Sequence, residues 1–132
     1  MQLHDTLARF SDIIRFYEVV QYEVAGLHAR LKLKVVFIDG TELSVRESVL
    51  DGQRRKYAFH WQAGTGDFIA RWDNAAHWPG VETFPHHKHV GRVGQVVASE
   101  ATTLEEVPRD PHEYETVSTA GRTALQSVRS TP

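Results

Sequence analysis

Between Ala29 and Asp73, apolar and polar side chains alternate, and short turn-forming pairs interrupt the alternation at intervals that single strands fill. No other feature constrains the chain as much, because a period of two sends successive side chains to opposite faces of a sheet. Ala29, Leu31, Leu33, Val35 and Phe37 alternate with Arg30, Lys32, Lys34, Val36 and Ile38, and Asp39-Gly40 follows as a hairpin signal. A loop of Asp39-Gly40 alone sets Leu33, Val35 and Phe37 on the face of Glu42, Ser44 and Arg46. A loop of Ile38-Asp39-Gly40 pairs Phe37 with Thr41 and joins the same side chains to Leu43 and Val45. A one-residue slip exchanges the faces, so burial selects the second loop, with Gly40 left-handed at a bulge.

The same argument continues through Asp51-Gly52 and Ala63-Gly64-Thr65-Gly66. A loop of Leu50-Asp51-Gly52 places Val45 opposite Tyr57 and Leu43 opposite Phe59, and the next turn places Trp61 opposite Phe68 and Tyr57 opposite Trp72. Upstream, Ile14, Phe16, Val20, Tyr22 and Val24 share one face, with Glu18 as the exception. The expectation is an antiparallel β-meander of about five strands, roughly 12–24, 29–37, 41–50, 53–62 and 67–73. Its apolar face carries Leu31, Leu33, Val35, Phe37, Leu43, Val45, Tyr57, Phe59, Trp61, Phe68, Ala70 and Trp72. A one-sided sheet needs a second layer, so the fold class is α+β, with one or two helices covering that face. Residues 1–10 supply one candidate helix. The capping-box spacing of Thr102-Thr103-Leu104-Glu105 starts another, which Pro108 and Pro111 interrupt.

A chain of 132 residues fits one domain, assigned to residues 1–107. Residues 108–132 form a C-terminal extension, helical across His112–Val128 or disordered. The absence of cysteine excludes disulfides and thiolate metal sites. No segment has the apolar length of a membrane span, and the N-terminus lacks a signal pattern, so a cytoplasmic location is expected. The net charge of −2 divides into an acidic start, a basic middle with ten Lys/Arg against seven acids over residues 29–99, and an acidic end. That middle suits an anionic partner.

The polar face of the meander collects Arg30, Lys32, Lys34, Glu42, Ser44, Arg46, Lys56, His60, Arg71 and Asp73. After it, residues 74–94 have no period, and Pro79-Gly80 and Phe84-Pro85 mark turns, so a long loop is expected. A short strand at Gln95–Ala98 follows. The loop carries His77, Trp78 and Pro85-His86-His87-Lys88-His89, and five of the eight histidines lie between His60 and His89.

Histidine carries protons near neutral pH, and Arg71, Lys56 and Lys88 suit a phosphodiester transition state. This mixture matches metal-independent RNA cleavage, with His60, His86, His87 and His89 as acid/base candidates. Arg71 and Asp73 complete the catalytic set, Asp73 and His77 orienting their neighbours. Lys32, Lys34, Arg46, Lys56, Asn74, His77, Trp78 and Lys88 are the substrate-binding candidates, with Trp78 placed to stack a base. No cofactor and no metal ligand belong to this leading reading. One alternative is a metal-dependent hydrolase or nuclease, in which His87 and His89 join Asp73 and His60 or His77 around zinc or another transition metal. Another is a non-catalytic module that occupies an RNA or protein surface. A plain solvated face with structural histidines stands beside all three. There is no Walker motif, no G-x-S-x-G and no helical His-x-x-x-His.

The blocks D-G-Q-R-R-K-Y-A-F-H-W-Q at 51–62, R-W-D-N-A-A-H-W-P at 71–79 and F-P-H-H-K-H-V-G at 84–91 resemble the TumE-like toxin family, over about residues 10–107. The resemblance implies a toxin encoded beside a cognate antitoxin protein that neutralises it, with RNA or the ribosome as the target to test. It leaves the reaction, the oligomeric state and the course of the tail open.

Overall fold

The computed structural model describes residues 3–91 and 95–107. The extension expected at 108–132 lies outside the described residues. One helix and seven strands follow in chain order: α1 (Leu3–Arg9), β1 (Ile14–Ala25), β2 (His28–Phe37), β3 (Glu42–Leu50), β4 (Arg54–Gln62), β5 (Phe68–Asp73), β6 (His87–Val90) and β7 (Gln95–Ala98). The strands form one antiparallel sheet in the order β1-β2-β3-β4-β5-β6-β7, a pure meander. The architecture is therefore mostly β, with two more strands than the alternation between Ile13 and Asp73 supplies and a single short helix among the described residues.

The first hairpin follows the burial argument. Phe37 N–H donates to Thr41 O at 2.9 Å, and Val35 lies opposite Leu43 and Leu33 opposite Val45. Gly40 has φ +86°, the left-handed value that a bulge at this position requires. At the second hairpin the register differs from expectation by two residues: Val45 faces Phe59 and Leu43 faces Trp61. Asp51 and Gly52 both take positive φ, with Gln53 N–H donating to Leu50 O, so the turn is of the primed type that matches strand twist. Arg54, rather than Gln53, then pairs with the end of β3. A shift of two preserves parity, so each side chain stays on its expected face. The same shift recurs across β4 and β5, where Phe59 faces Trp72 and Trp61 faces Ala70.

The core is the apolar face: Leu31, Leu33, Val35, Phe37, Leu43, Val45, Tyr57, Phe59, Trp61, Ala70 and Trp72 are buried. Phe68 departs from this set, because a bulge at Trp61 and Gln62 turns it toward the His60 ring, 5.4 Å between centroids. Leu7 of α1 and Ala101 and Val107 of the C-terminal segment pack on this face. An ion pair between Arg9 and Glu105 ties the two covers together. The expected second helix is, over the described residues, a capped turn in which Glu106 N–H donates to Thr103 Oγ1. Strand β1 also departs from expectation. Bulges between Ile14 and Phe16 and between Val19 and Gln21 break its single apolar face, placing Tyr17 opposite Val35 and Tyr22 opposite Leu31. Phe16, Val20, Tyr22 and Val24 remain exposed on this edge strand.

Candidate functional site

The loop expected over residues 74–94 returns to the sheet. His87–Val90 forms β6 against β5, with Asp73 opposite His87 and Arg71 opposite His89. Directly opposed residues of an antiparallel pair bring their side chains together on one face. Alternation along His87-Lys88-His89 therefore sends both histidines to the polar face and Lys88 to the other. Lys88, a substrate-binding candidate of the expected loop, is buried, its Nζ 5.4 Å from the centroid of the Trp72 ring and apart from the basic face.

The result is a compact cluster at Asp73. His87 Nε2 lies 2.9 Å from Asp73 Oδ1, His89 Nε2 lies 3.4 Å from Asp73 Oδ2, and the two Nε2 atoms are 3.1 Å apart. Asp73 is itself held in place: Ala75 N–H donates to Oδ1 at 2.9 Å and Arg71 Nε–H donates to Oδ2 at 3.1 Å. His87 is only 1% exposed, and its Nδ1 meets Pro85 O at 2.9 Å. A carbonyl oxygen only accepts, so that contact puts a proton on Nδ1. His89 is partly exposed and its pKa is lowered, first by burial, then against the opposing pull of Asp73. The Trp78 ring stands edge-on to His89, with centroids 6.2 Å apart.

Above the cluster opens a cleft of about 750 Å³. Arg30, Lys32, Arg46, Lys56 and Arg71 contribute to its walls, with His77, Trp78 and Asn74 near the cluster. Alternation on β2, β3 and β4 positions these cations, since Lys32 faces Arg46 and Ser48 faces Lys56 across the strands. Lys34 lies off the cleft and pairs with Glu42 at 3.5 Å.

The remaining candidates have other surroundings. His60 shares the row of Arg71 and His89, but two strand spacings, roughly 10 Å, separate it from His89. Its pKa is lowered by burial and then by Arg71. Its Nδ1 is buried without a protein partner. His86 lies with the core aromatics, where its Nδ1 meets Tyr57 Oη at 2.8 Å and the two rings stack. Asn74 bridges strands: its Oδ1 accepts from Tyr57 N–H and its Nδ2 donates to Arg55 O. The sequence argument did not single out Arg30 as a site residue, although its place in the alternation with Lys32 carries that signal.

A family model described as Toxin TumE matches residues 3–118, beyond the Val107 limit at which the sequence resemblance ends. No curated protein and no solved structure matches. Among the described residues, no helix is long and apolar enough to cross a membrane.

Proposed function

The chain belongs to the TumE toxin family, and from that membership we propose that it is the toxin of a toxin–antitoxin pair, neutralised by a cognate antitoxin, and that it cleaves RNA in the cleft above Asp73. The observation that carries the cleavage reading is the convergence of Asp73, His87, His89 and Arg71 on the floor of a cleft walled by cations. A polyanion enters such a cleft favourably, and release of counterions strengthens the association at low salt.

In the cleavage, the 2′-hydroxyl loses its proton as its oxygen bonds to the adjacent phosphorus. The bond to the 5′-oxygen breaks, that oxygen gains a proton, and a 2′,3′-cyclic phosphate remains. Charge builds on the non-bridging oxygens, and the Arg71 guanidinium, which lines the cleft, would stabilise it there. Trp78, 43% exposed at the rim, offers a face for a base to stack on. Both histidines line the cleft, but His87 is almost fully buried and His89 is partly exposed, so the two differ in role. Proton transfer by His89 itself and polarisation by a cation held between the three residues are both compatible with this step. The orientation of His87 favours the cation.

Induced expression of the wild type is expected to arrest growth and fragment RNA, and His89→Gln is expected to relieve both. Growth arrest with RNA intact contradicts the cleavage reading, as does undiminished cleavage in the variant.

A further inference from the structure

We infer that Asp73, His87 and His89 form a binding site for one divalent first-row transition-metal ion, with Zn²⁺ as the ion best suited to the donors. The inference rests on the geometry of the cluster and stands independently of RNA cleavage.

The first argument concerns distance. Metal–nitrogen and metal–oxygen bonds to such ions run about 2.0–2.2 Å. Donors around a tetrahedral centre of that size are about 3.3 Å apart, and adjacent donors around an octahedral one about 2.9 Å. Here the two Nε2 atoms are 3.1 Å apart, and each has its own carboxylate oxygen nearby, Asp73 Oδ1 at 2.9 Å from His87 and Oδ2 at 3.4 Å from His89. These separations are those that a shared ion sets, and one ligand atom from each of the three residues lies within 4.8 Å of the others.

The second argument concerns protons. With Nδ1 of His87 donating to Pro85 O, its neutral ring presents a lone pair at Nε2. That lone pair points at Asp73 Oδ1, 2.9 Å away, and at His89 Nε2. A carboxylate and two ring nitrogens that face one another need protons or a cation between them, and a proton on His89 Nε2 serves either Asp73 Oδ2 or His87 Nε2. A proton on His87 Nε2 has one direction and serves one contact well. A metal ion serves all three donors at once. The bond from Nδ1 to a backbone carbonyl is also the outer support that metal-binding histidines commonly have, fixing the tautomer and ring orientation.

The third argument concerns the supports of the carboxylate. Ala75 N–H donates to Asp73 Oδ1 and the Arg71 guanidinium to Oδ2, one bond to each oxygen. Each oxygen keeps a lone pair, and each lies near one imidazole, Oδ1 near His87 and Oδ2 near His89. Two imidazoles and one carboxylate leave open coordination positions, and His89, on the exposed side, turns them toward the cleft. Two nitrogen donors disfavour Mg²⁺ and Ca²⁺, which prefer oxygen.

The test uses the full-length protein, stripped with chelator, dialysed, and titrated by calorimetry with Zn²⁺, Mn²⁺ or Mg²⁺. The expected result is one Zn²⁺ per chain, a higher melting temperature with Zn²⁺ present, and much weaker binding of Mg²⁺. His89→Gln, at the partly exposed ligand, is expected to fold and to weaken Zn²⁺ binding at least 10-fold. His28→Ala, far from the cluster, is expected to bind as the parent does. A folded wild type that binds no Zn²⁺ overturns the site. Equal binding by the wild type and His89→Gln also overturns it, by placing the ion elsewhere. Because binding is read without RNA, a protein that binds the ion and leaves RNA intact keeps this site and loses the cleavage reading.

Discussion

The imidazoles of His87 and His89 meet Nε2 to Nε2 at 3.1 Å, and both nitrogens face the carboxylate of Asp73 on the neighbouring strand. One backbone pairing produces this arrangement. Once Asp73 is opposite His87 and Arg71 opposite His89, alternation places all four side chains on one face, on the floor of the basic cleft.

Asp73→Asn tests the carboxylate at nearly constant size. The amide keeps an acceptor for Ala75 N–H but removes the charge facing Arg71, His87 and His89. A buried charged hydrogen-bond acceptor is lost, so stability is expected to fall by about 1–3 kcal/mol, read from the midpoint of urea unfolding. Toxicity is expected to disappear. An equally stable and fully toxic variant contradicts the role of the cluster.

His60 offers a pH test away from the cluster. Burial, and after it the Arg71 guanidinium, hold its pKa below the ordinary 6.5. Between the folded value and 6.5 the unfolded chain binds more protons at this site. Its contribution to stability is therefore full above 6.5 and declines as pH falls toward the folded value. Arg71→Gln is expected to raise the His60 pKa, seen in an NMR titration of the imidazole protons. An unchanged titration contradicts the Arg71–His60 coupling.

How far these relations could be read in advance depended on parity. Ala29 to Asp73 disclosed which face the side chains take, Phe68 excepted at its bulge, and the two-residue shift at Asp51-Gly52 left that intact, because a primed turn moved the pairing by a whole period. Strand β6 was not legible in the same way. Its four residues follow a stretch with Pro79, Gly80 and Pro85, and so short a run has too few alternations to declare itself. Without that strand, His86, His87 and His89 stood together as acid/base candidates, and only the metal alternative set His87 and His89 apart as a pair. Pairing with β5 separates them, His86 going to Tyr57 and the other two to Asp73. The faces of β1 were hidden by two bulges, which depend on the partner strand as much as on β1 itself.

Tyr57 gives a second titration. Burial pushes its phenol up to about 12, with Arg55 opposing and Asp73 adding to the rise. In an absorbance titration one tyrosine is expected to ionise last, and Tyr57→Phe is expected to remove that late phase. The stability that the neutral phenol contributes is present below pH 10 and is lost as pH rises toward 12. Uniform ionisation of all tyrosines near pH 10 in the folded protein contradicts this placement.

The cleft predicts which cations matter for RNA. Lys32 and Arg46 line it, whereas Lys34 lies outside it and pairs with Glu42. Lys32→Glu with Arg46→Glu is expected to weaken binding of single-stranded RNA. Two lost phosphate contacts make the log–log salt dependence shallower by about 1.4. Lys34→Gln is expected to leave both nearly unchanged. Equal loss from Lys34→Gln contradicts a localised cleft.

Cleavage of single-stranded RNA by the purified, metal-loaded protein tests the central claim most directly, with His89→Gln beside the wild type. The account predicts a 2′,3′-cyclic phosphate product from the wild type and a rate at least 10²-fold lower for the folded variant. Intact RNA with the wild type, or equal rates for the two proteins, contradicts it.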